Sequence, residues 1–245
     1  MKGADAHVGL ASIKRRESSL HETLLSLVSQ ADRISVYLND YTELSPWMKN
    51  PQFDKTEFLL ASNCAGDLGD AGKFYAAVES DAQFYLTGDD DIIYPADYVE
   101  RMTSWSTIHP LSCVHGRIFP DDSTPIRRFF GQMNGVRVLH FADPLTHPTR
   151  VHVAGTGTLC FQRERFKIPS RSLFLEERNI ADVWISAHSL KQGLPIIAVP
   201  RKGKWLKPTV SSRHTPSIFE RAKKDFTVRD IFNRELPRCD LRLEG

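Results

Sequence analysis

Short apolar stretches alternate with helix-forming stretches along the amino-terminal part of the chain, and this alternation restricts the possible folds more than any other feature. Strands that alternate with helices require crossover connections. The pattern therefore predicts an α/β fold whose central sheet is mixed but mainly parallel and is flanked by helices. The strands predicted in this part of the chain are residues 7–13, 33–38, 56–61 and 83–87.

Helices are predicted from their capping residues and from apolar residues at helical spacing. Ser19 and Glu22 have the spacing of a capping box, which predicts that a helix begins there. A short helix is predicted at residues 70–78. The second half of the chain is less regular. Its predicted strands are residues 114–119, 151–161 and 194–199. A helix is predicted at residues 182–192, and one or two helices are predicted at residues 219–236.

Polar residues follow each predicted strand of the first half. Lys14–Arg16 follow the first strand, Asn39 and Asp40 follow the second, a loop at Gly66 follows the third, and residues 89–91 follow the fourth. Ligands of parallel sheets bind beyond the carboxyl ends of the strands. We therefore expect these residues to gather at one edge of the sheet and to form a binding site.

The stretch FYLTGDDDIIYP places three aspartates between two apolar segments. In an extended chain, residues i and i+2 point the same way, so Asp89 and Asp91 are predicted to share one side and Asp90 to face the other. Paired carboxylates suit Mg²⁺ or Mn²⁺, which prefer oxygen ligands and can bridge to a diphosphate. The alternative interpretation is a solvated acidic turn, although the apolar flanks argue against a loosely exposed loop.

The stretch GDLGDAGKF is a glycine-bearing loop that leads into the short predicted helix. It fails the P-loop pattern, because Ala71 stands where the second glycine is required and Phe74 follows Lys73. A flexible loop before a helix N-terminus can still approach an anion closely. A purely structural turn explains the glycines equally well.

Composition and charge argue against several classes of protein. No apolar run approaches the ~18 residues of a membrane span, and the amino-terminal stretch lacks a signal-peptide core, so we expect a cytoplasmic protein. The four cysteines form no Cys-x-x-Cys pair, which gives a zinc site little support. A net charge of +2 gives no reason to expect a nucleic-acid partner.

The charge is nevertheless uneven along the chain. Residues 201–245 carry twelve Lys and Arg against six Asp and Glu. This segment is predicted to form a basic loop followed by a helical extension. It is either a solvated surface or a contact for an anion, an acidic partner or, peripherally, the cytosolic face of a membrane.

Five stretches, taken together in their order and spacing, resemble the family 2 group of GT-A glycosyltransferases. They are VGLASIKRRESSLHETLLSLVSQ, GDLGDAGKF, TGDDDIIYP, VAGTGTLCFQRERF and ADVWISAHSLKQGLPIIAVP, and they span most of the chain from Val8 to Val199. The resemblance implies a Rossmann-like GT-A catalytic domain at residues 1–200. Its nucleotide-binding half would be about residues 1–95 and its acceptor half about residues 96–200, with residues 201–245 as an extension.

The resemblance also implies a metal-dependent, inverting transfer of a sugar from a nucleotide-diphosphate donor, UDP-linked in most of the group. The acceptor would be a hydroxyl of a glycan, a lipid-linked molecule or a protein, in polysaccharide or glycoconjugate synthesis. Asp91, helped by Asp89, would hold Mn²⁺ or Mg²⁺ against the diphosphate, and Asp182 would be the general base. The residues implied to bind the nucleotide-sugar are Ala11, Ser12, Lys14, Asn39, Asp40, Asp67, Lys73, Asp89 and Asp90.

Two of these roles have open alternatives. Asp182 has the position of a helix N-cap. Glu176 or Glu177 is an alternative base, because many relatives have an acidic pair where this chain has Ala181 followed by Asp182. His214 is a candidate further metal ligand, and the alternative is an ordinary surface histidine.

Two rival functions stay open at this stage. A nucleotidyltransferase would use a similar sheet, carboxylates and a metal, but it carries a Gly-rich basic signature after the first strand, and ASIKRRESS contains no glycine. A non-catalytic sugar-nucleotide or glycan-binding module is the other rival. The presence of Asp89, Asp91 and Asp182 together argues against such a module.

Overall fold

The computed structural model describes residues 5–118, 137–168 and 179–214 of the 245-residue chain. The α-helices of this part are α1 (Glu17–Leu27), α2 (Tyr98–Ile108) and α3 (Ala181–Lys191). Its strands are β1 (Ala6–Ser12), β2 (Arg33–Leu38), β3 (Thr56–Leu60), β4 (Phe84–Asp89), β5 (Ile92–Ile93), β6 (Leu111–Cys113), β7 (Gly116–Ile118), β8 (Arg137–Leu139), β9 (Thr149–Val151), β10 (Val153–Ala154), β11 (Thr158–Gln162), β12 (Ile196–Ala198) and β13 (Lys207–Pro208). Short 3-10 helices occupy Lys14–Arg16, Pro46–Lys49, Pro51–Phe53, Ala61–Asn63, Gly69–Phe74, Ala76–Val78 and Ser211–His214.

Eight of these strands form one central sheet in the order β3-β2-β1-β4-β11-β6-β12-β9. Strands β1 to β4 pair in parallel, as do β6 and β12. Strand β11 runs antiparallel to β4 and β6, and β9 runs antiparallel to β12. The predicted α/β fold with a mixed, mainly parallel central sheet is confirmed. Strands β10, β7 and β8 form a small second sheet, and β13 pairs with β5.

Apolar side chains pack on both faces of the central sheet. Phe84 of β4 belongs to the cluster that contains Leu20 of α1, whereas the next residue, Tyr85, belongs to the cluster that contains Trp184 of α3. Successive side chains of a strand point to opposite faces. One hydrophobic core therefore lies on each face of the sheet. The polar residues that follow the strands lie at the edge formed by the carboxyl ends of the strands.

The sequence patterns do not predict helix α2, because its buried face is partly polar. Thr103 and Ser106 are buried on this face beside Tyr98 and Met102. They interrupt the apolar stripe on which a helix prediction depends. The Ser106 hydroxyl donates a hydrogen bond to the carbonyl of Cys160 in β11 (3.2 Å), so its burial leaves no unsatisfied hydroxyl.

The capping-box prediction at Ser19 and Glu22 is wrong. Helix α1 already begins at Glu17. The Ser19 hydroxyl bonds the Thr209 hydroxyl (2.7 Å), and Glu22 accepts a hydrogen bond from the backbone amide of Val210 (2.9 Å). Both side chains therefore tether the segment after β13 to α1, and partners this distant in sequence leave no local signal.

The predicted strand at residues 151–161 is three separate strands, because the chain changes partners there. Strand β9 pairs with β12, β10 pairs with β7, and β11 returns to β4. Crowding at Gly155 and Gly157 accompanies the change, since an added Cβ would lie 2.7 Å from His115 and 2.0 Å from Asp89 respectively. Within the strand predicted at 114–119 the structure has β7 at Gly116–Ile118, and β6 ends before it at Cys113.

Other predicted elements differ in length or lie elsewhere. The helix predicted at residues 70–78 consists of two 3-10 stretches, and the helix predicted at 182–192 is confirmed as α3. The helix predicted at 219–236 and the alternative bases Glu176 and Glu177 lie outside the described residues. Among the helices that are described, none is long and apolar enough to cross a membrane.

Candidate active site

The carboxyl ends of three parallel strands meet at one edge of the central sheet. Strand β1 lies between β2 and β4, and Ala11 near its end is paired in register with Tyr37 on one side and Asp89 on the other. Strand β11 approaches the same edge from the opposite direction, with Thr158 paired to Gly88. The sheet order therefore brings the loops after β1, β2 and β4 and the loop before β11 together.

Three neighbours hold Asp89 in place. Its Oδ1 accepts a hydrogen bond from Lys73 Nζ, and its backbone N–H donates to the Tyr94 hydroxyl (2.9 Å). Its Oδ2 lies beside Gly157, where any side chain would collide with the carboxylate. The Asp89 side chain is still 42% exposed, so it is open to a ligand from the solvent side.

Asp90 and Asp91 share one guanidinium. Arg16 Nη1 donates to Asp90 Oδ1 (2.8 Å) and to Asp91 Oδ2 (3.1 Å). The Ser12 hydroxyl donates to the other oxygen of Asp90 (2.6 Å), and Asp90 is almost completely buried. Asp91 is more exposed, and burial together with repulsion from Asp89 and Asp90 raises its pKa to about 6. Additional positive charge beside Asp91 would therefore be stabilising.

Lys73 is a buried cation among these carboxylates. Burial disfavours its ammonium group, but Asp89 and Asp70 outweigh this effect and raise the pKa of Lys73 above its ordinary value. Asp70 accepts a hydrogen bond from the backbone amide of Ala181 at the start of α3 (3.0 Å). Burial raises the pKa of Asp70 to about 6, although Lys73 opposes this rise. Asp70 thus connects the glycine-bearing loop to the helix that carries Asp182.

Asp182 lies in the first turn of α3 and is not its N-cap, because Ile180 occupies that position. Its Oδ1 accepts hydrogen bonds from the backbone N–H and the hydroxyl of Thr156 (2.8 and 2.7 Å). Arg117 Nη1 lies 3.3 Å from its Oδ2. Burial disfavours the carboxylate, but Arg117 and Thr156 outweigh it, and the pKa of Asp182 is lowered. Asp182 is therefore an ionised, firmly oriented carboxylate at neutral pH.

Asp40, which follows β2, bonds to the backbone of Lys14, which follows β1. The backbone N–H of Lys14 donates to Asp40 Oδ1 (2.5 Å). The Lys14 ammonium donates to the Ser45 hydroxyl (2.8 Å), pairs with Glu17 (2.5 Å) and lies over the Tyr41 ring. Lys14 is thus at the β1 end of the site, and its described ion pair is with Glu17.

Asn39 and Asp67 hold the glycine-bearing loop. The Asn39 side chain accepts hydrogen bonds from the amides of Leu68 and Gly69 (3.0 and 3.1 Å) and donates to the Gly69 carbonyl (2.9 Å). Asp67 accepts from the Gly69 amide (2.9 Å) and is exposed. In this structure the side chains of Asn39 and Asp67 order the loop. Contacts from these two residues to a nucleotide stay a prediction.

Sequence reasoning placed Arg16 at this sheet edge but gave it no partner, and it missed Asp70 and Thr156. The run of three basic residues after β1 indicates a cation near the aspartates, but only the 3-10 turn at Lys14–Arg16 directs the third of them toward Asp90. Asp70 and Thr156 bond groups that are 111 and 26 positions away. No local pattern signals such contacts.

A complete metal cage is not present in the described ranges. Among residues 5–118, 137–168 and 179–214, no three His, Cys, Asp or Glu side chains gather in a way that could hold a metal ion. Mg²⁺ often binds through only one or two carboxylates together with substrate phosphates, so Asp89 and Asp91 stay candidate ligands. His214 ends the 3-10 helix Ser211–His214, its side chain lies outside the described part, and its role as a ligand stays a prediction.

The fold is that of GT-A-type glycosyltransferases, as comparison with solved structures shows. Residues 1–349 of S. aureus TarS, a GT-A-type glycosyltransferase, match in complex with UDP at 13% identity and a TM-score of 0.53, over 97% of this chain and 67% of that chain. The UDP-GlcNAc complex of the same fragment matches at 10% identity and a TM-score of 0.53, over 97% of this chain and 68% of that chain.

A longer TarS structure matches at 12% identity and a TM-score of 0.51, over 85% of this chain and 37% of that chain. This chain thus spans between 37% and 68% of these TarS chains. No family model matches the sequence. No curated protein matches it either. The structural likeness therefore establishes the fold alone.

Proposed function

We propose that this protein is a glycosyltransferase that moves a sugar from a nucleotide-diphosphate donor, a UDP-sugar, to a hydroxyl acceptor with inversion at the anomeric carbon. One observation carries this proposal: Asp89 and Asp91 at the end of β4 and Asp182 on α3 converge on one sheet edge of a fold that TarS shares in its UDP and UDP-GlcNAc complexes. Among the described residues, no contact at this edge favours a nucleotidyltransferase or a binding module.

The donor end of the site is the turn that carries residues 89–91. The carboxylates of Asp89 and Asp91 fit Mg²⁺ or Mn²⁺, because both are partly exposed and because a cation would offset the burial and the like-charge repulsion that together raise the pKa of Asp91. A bound metal would neutralise the diphosphate leaving group. Arg16 holds Asp91 from one side and Lys73 holds Asp89 from the other, so both carboxylates are oriented before the donor arrives.

The acceptor end of the site is Asp182. Its ionised carboxylate is oriented by Thr156 through Oδ1, and its Oδ2 lies 3.3 Å from Arg117 Nη1. In the proposed reaction this oxygen removes the proton from the acceptor hydroxyl as that hydroxyl attacks the anomeric carbon. The UDP leaves on the opposite side, where a divalent cation held by Asp89 and Asp91 would neutralise its charge.

The proposal predicts metal-dependent binding of UDP. We expect UDP to bind at least about tenfold more tightly with Mn²⁺ than with EDTA, because the metal links the diphosphate to Asp89 and Asp91. Calorimetric titration measures both affinities, and thermal shift over a panel of nucleotide-sugars identifies the donor. Equal affinity under both conditions would remove the metal role, and absence of binding to any nucleotide would remove the proposed function.

Arg117 is expected to set the acidic limit of the reaction. Its guanidinium stabilises the ionised form of Asp182, so Arg117→Met raises the pKa of Asp182. The acidic limb of the pH profile of UDP release then moves to higher pH. Arg117→Lys keeps the positive charge and serves as the control, with a smaller displacement. An acidic limb that stays in place in Arg117→Met would show that Asp182 does not control it.

A further inference from the structure

The hydroxyl of Tyr94 joins the end of β4 to the loop before β11, and both lie at the candidate active site. Tyr94 is only 2% exposed. Its hydroxyl accepts a hydrogen bond from the backbone N–H of Asp89 (2.9 Å) and donates one to the carbonyl of Gly157 (2.7 Å). Burial raises the pKa of Tyr94 well above its ordinary value, so the hydroxyl stays protonated and can both accept and donate.

The backbone next to Gly157 holds the other candidate carboxylate. The N–H and the hydroxyl of Thr156 both donate to Asp182 Oδ1, and the Thr156 carbonyl accepts a hydrogen bond from the hydroxyl of Thr87 in β4. An unbroken series of contacts therefore runs from Asp89 through the Tyr94 hydroxyl and residues 156–157 to Asp182. Every atom in this series belongs to a buried or half-buried residue.

Gly88 and Gly157 leave free the space that the Tyr94 hydroxyl and the Asp89 carboxylate occupy. An added Cβ at Gly88 would lie 2.9 Å from the Tyr94 hydroxyl, and one at Gly157 would lie 2.0 Å from Asp89 Oδ2. Contacts tighter than 3 Å force a neighbour to move. The two glycines thus leave room for one phenolic oxygen to contact both the Asp89 N–H and the Gly157 carbonyl.

We propose that Tyr94 is a positioning residue for the reaction: its hydroxyl fixes Asp89 against residues 156–157 and so sets where the donor-binding carboxylate stands relative to Asp182. This inference rests on the proposed function. Tyr94 itself touches neither donor nor acceptor in this proposal. A displacement of a reacting group by about 1 Å costs on the order of a hundredfold in rate, so a buried hydrogen bond that fixes the two carboxylates has a measurable effect.

The test compares two buried tyrosines that differ in their hydroxyl contacts. Tyr98 is also buried, its ring centroid is 4.6 Å from that of Tyr94, and its hydroxyl has no hydrogen-bond partner within the described part of the chain. Tyr94→Phe and Tyr98→Phe each remove one oxygen and keep the ring packing. The measured quantity is the gain in UDP affinity that Mn²⁺ confers, that is, the ratio of the dissociation constants in EDTA and in Mn²⁺.

We expect Tyr94→Phe to reduce this gain about tenfold while the affinity in EDTA stays within about twofold of the wild type, because only the Asp89 ligand is displaced. Tyr98→Phe should keep the full gain. A general loss of structure would weaken binding in EDTA as well, and that result, or an unchanged gain in Tyr94→Phe, overturns the inference. A wild-type protein without any gain from Mn²⁺ removes the metal role and, with it, this inference.

A second variant tests the contact between Thr156 and Asp182, and its result does not depend on whether Tyr94→Phe folds. Thr156→Val is nearly isosteric and removes the hydroxyl that bonds Asp182. We expect the kcat of UDP release to fall about tenfold with the Mn²⁺ gain unchanged, because Thr156 acts on Asp182 and Tyr94 acts on Asp89. A Thr156→Val protein that loses the Mn²⁺ gain, or that keeps its full kcat, contradicts the inference that Thr156 positions Asp182 and Tyr94 positions Asp89.

Discussion

Asp182→Asn is expected to lower the rate of sugar transfer, followed as UDP release, by about 10²- to 10⁴-fold, while UDP affinity in Mn²⁺ changes little. The amide keeps the size of the side chain and can still accept the hydrogen bonds from Thr156, but it cannot take up the acceptor proton. Arg117 and Thr156 hold the pKa of Asp182 low, so the wild-type group is ionised at neutral pH and the substitution removes a real charge.

Asp81→Asn is a matched control for this experiment. Asp81 precedes β4 at the end remote from Asp89, its side chain is 85% exposed, and it pairs with Arg33. We expect it to leave UDP release unchanged. Full activity in Asp182→Asn would move the general base elsewhere, and Glu176 and Glu177 would be the next residues to replace. A large loss of UDP affinity in Asp182→Asn would assign the residue to donor binding instead.

Gly157→Ala is expected to abolish most of the Mn²⁺-dependent binding of UDP. The added methyl group would lie 2.0 Å from Asp89 Oδ2, so the carboxylate must leave the position in which Lys73 holds it. Holding the carboxylate at that position against the added methyl group would cost about 1–3 kcal/mol, so UDP affinity in Mn²⁺ is expected to fall on the order of tenfold to a hundredfold. Calorimetry in Mn²⁺ and in EDTA separates this loss from a general loss of structure.

Gly203→Ala is the matched control, because an added Cβ there would find its nearest neighbour at 3.5 Å, an ordinary contact. We expect this variant to bind UDP as the wild type does. If Gly157→Ala bound UDP with full Mn²⁺ dependence, Asp89 would not be a ligand in its present position. The role of the metal would then depend on Asp91 and on residues outside this contact.

Much of the donor end of the site could be predicted from sequence, because the patterns that indicate it involve residues close together in the chain. An apolar strand followed by three aspartates predicts carboxylates at a sheet edge, and β4 ends at Asp89. Alternation of strands and helices predicts parallel pairing, and β1 pairs in parallel with both β2 and β4. Each of these predictions depends on residues close together in the chain, where periodicity and turn chemistry act directly.

The predictions that failed depend on partners that are distant in the chain. Ser19 and Glu22 have the spacing of a helix cap, yet the segment after β13 takes both side chains. Helix α2 buries the small polar residues Thr103 and Ser106 and so lacks the apolar stripe by which a helix is recognised. The strand predicted at 151–161 is divided because its three parts pair with strands in two different sheets.

The sequence by itself determined the class of fold and the acidic turn at its edge, since hydrophobic periodicity decides which segments are buried and where strands end. Only the tertiary structure decided which groups hold the carboxylates: Arg16 rather than Lys14 meets Asp90 and Asp91, and Lys73 is directed to Asp89. It also decided that Tyr94 and Thr156 connect Asp89 with Asp182. The physical reason is that a hydrogen bond depends on distance and direction in space, and a linear pattern of residues specifies neither for partners that meet only when the sheet has formed.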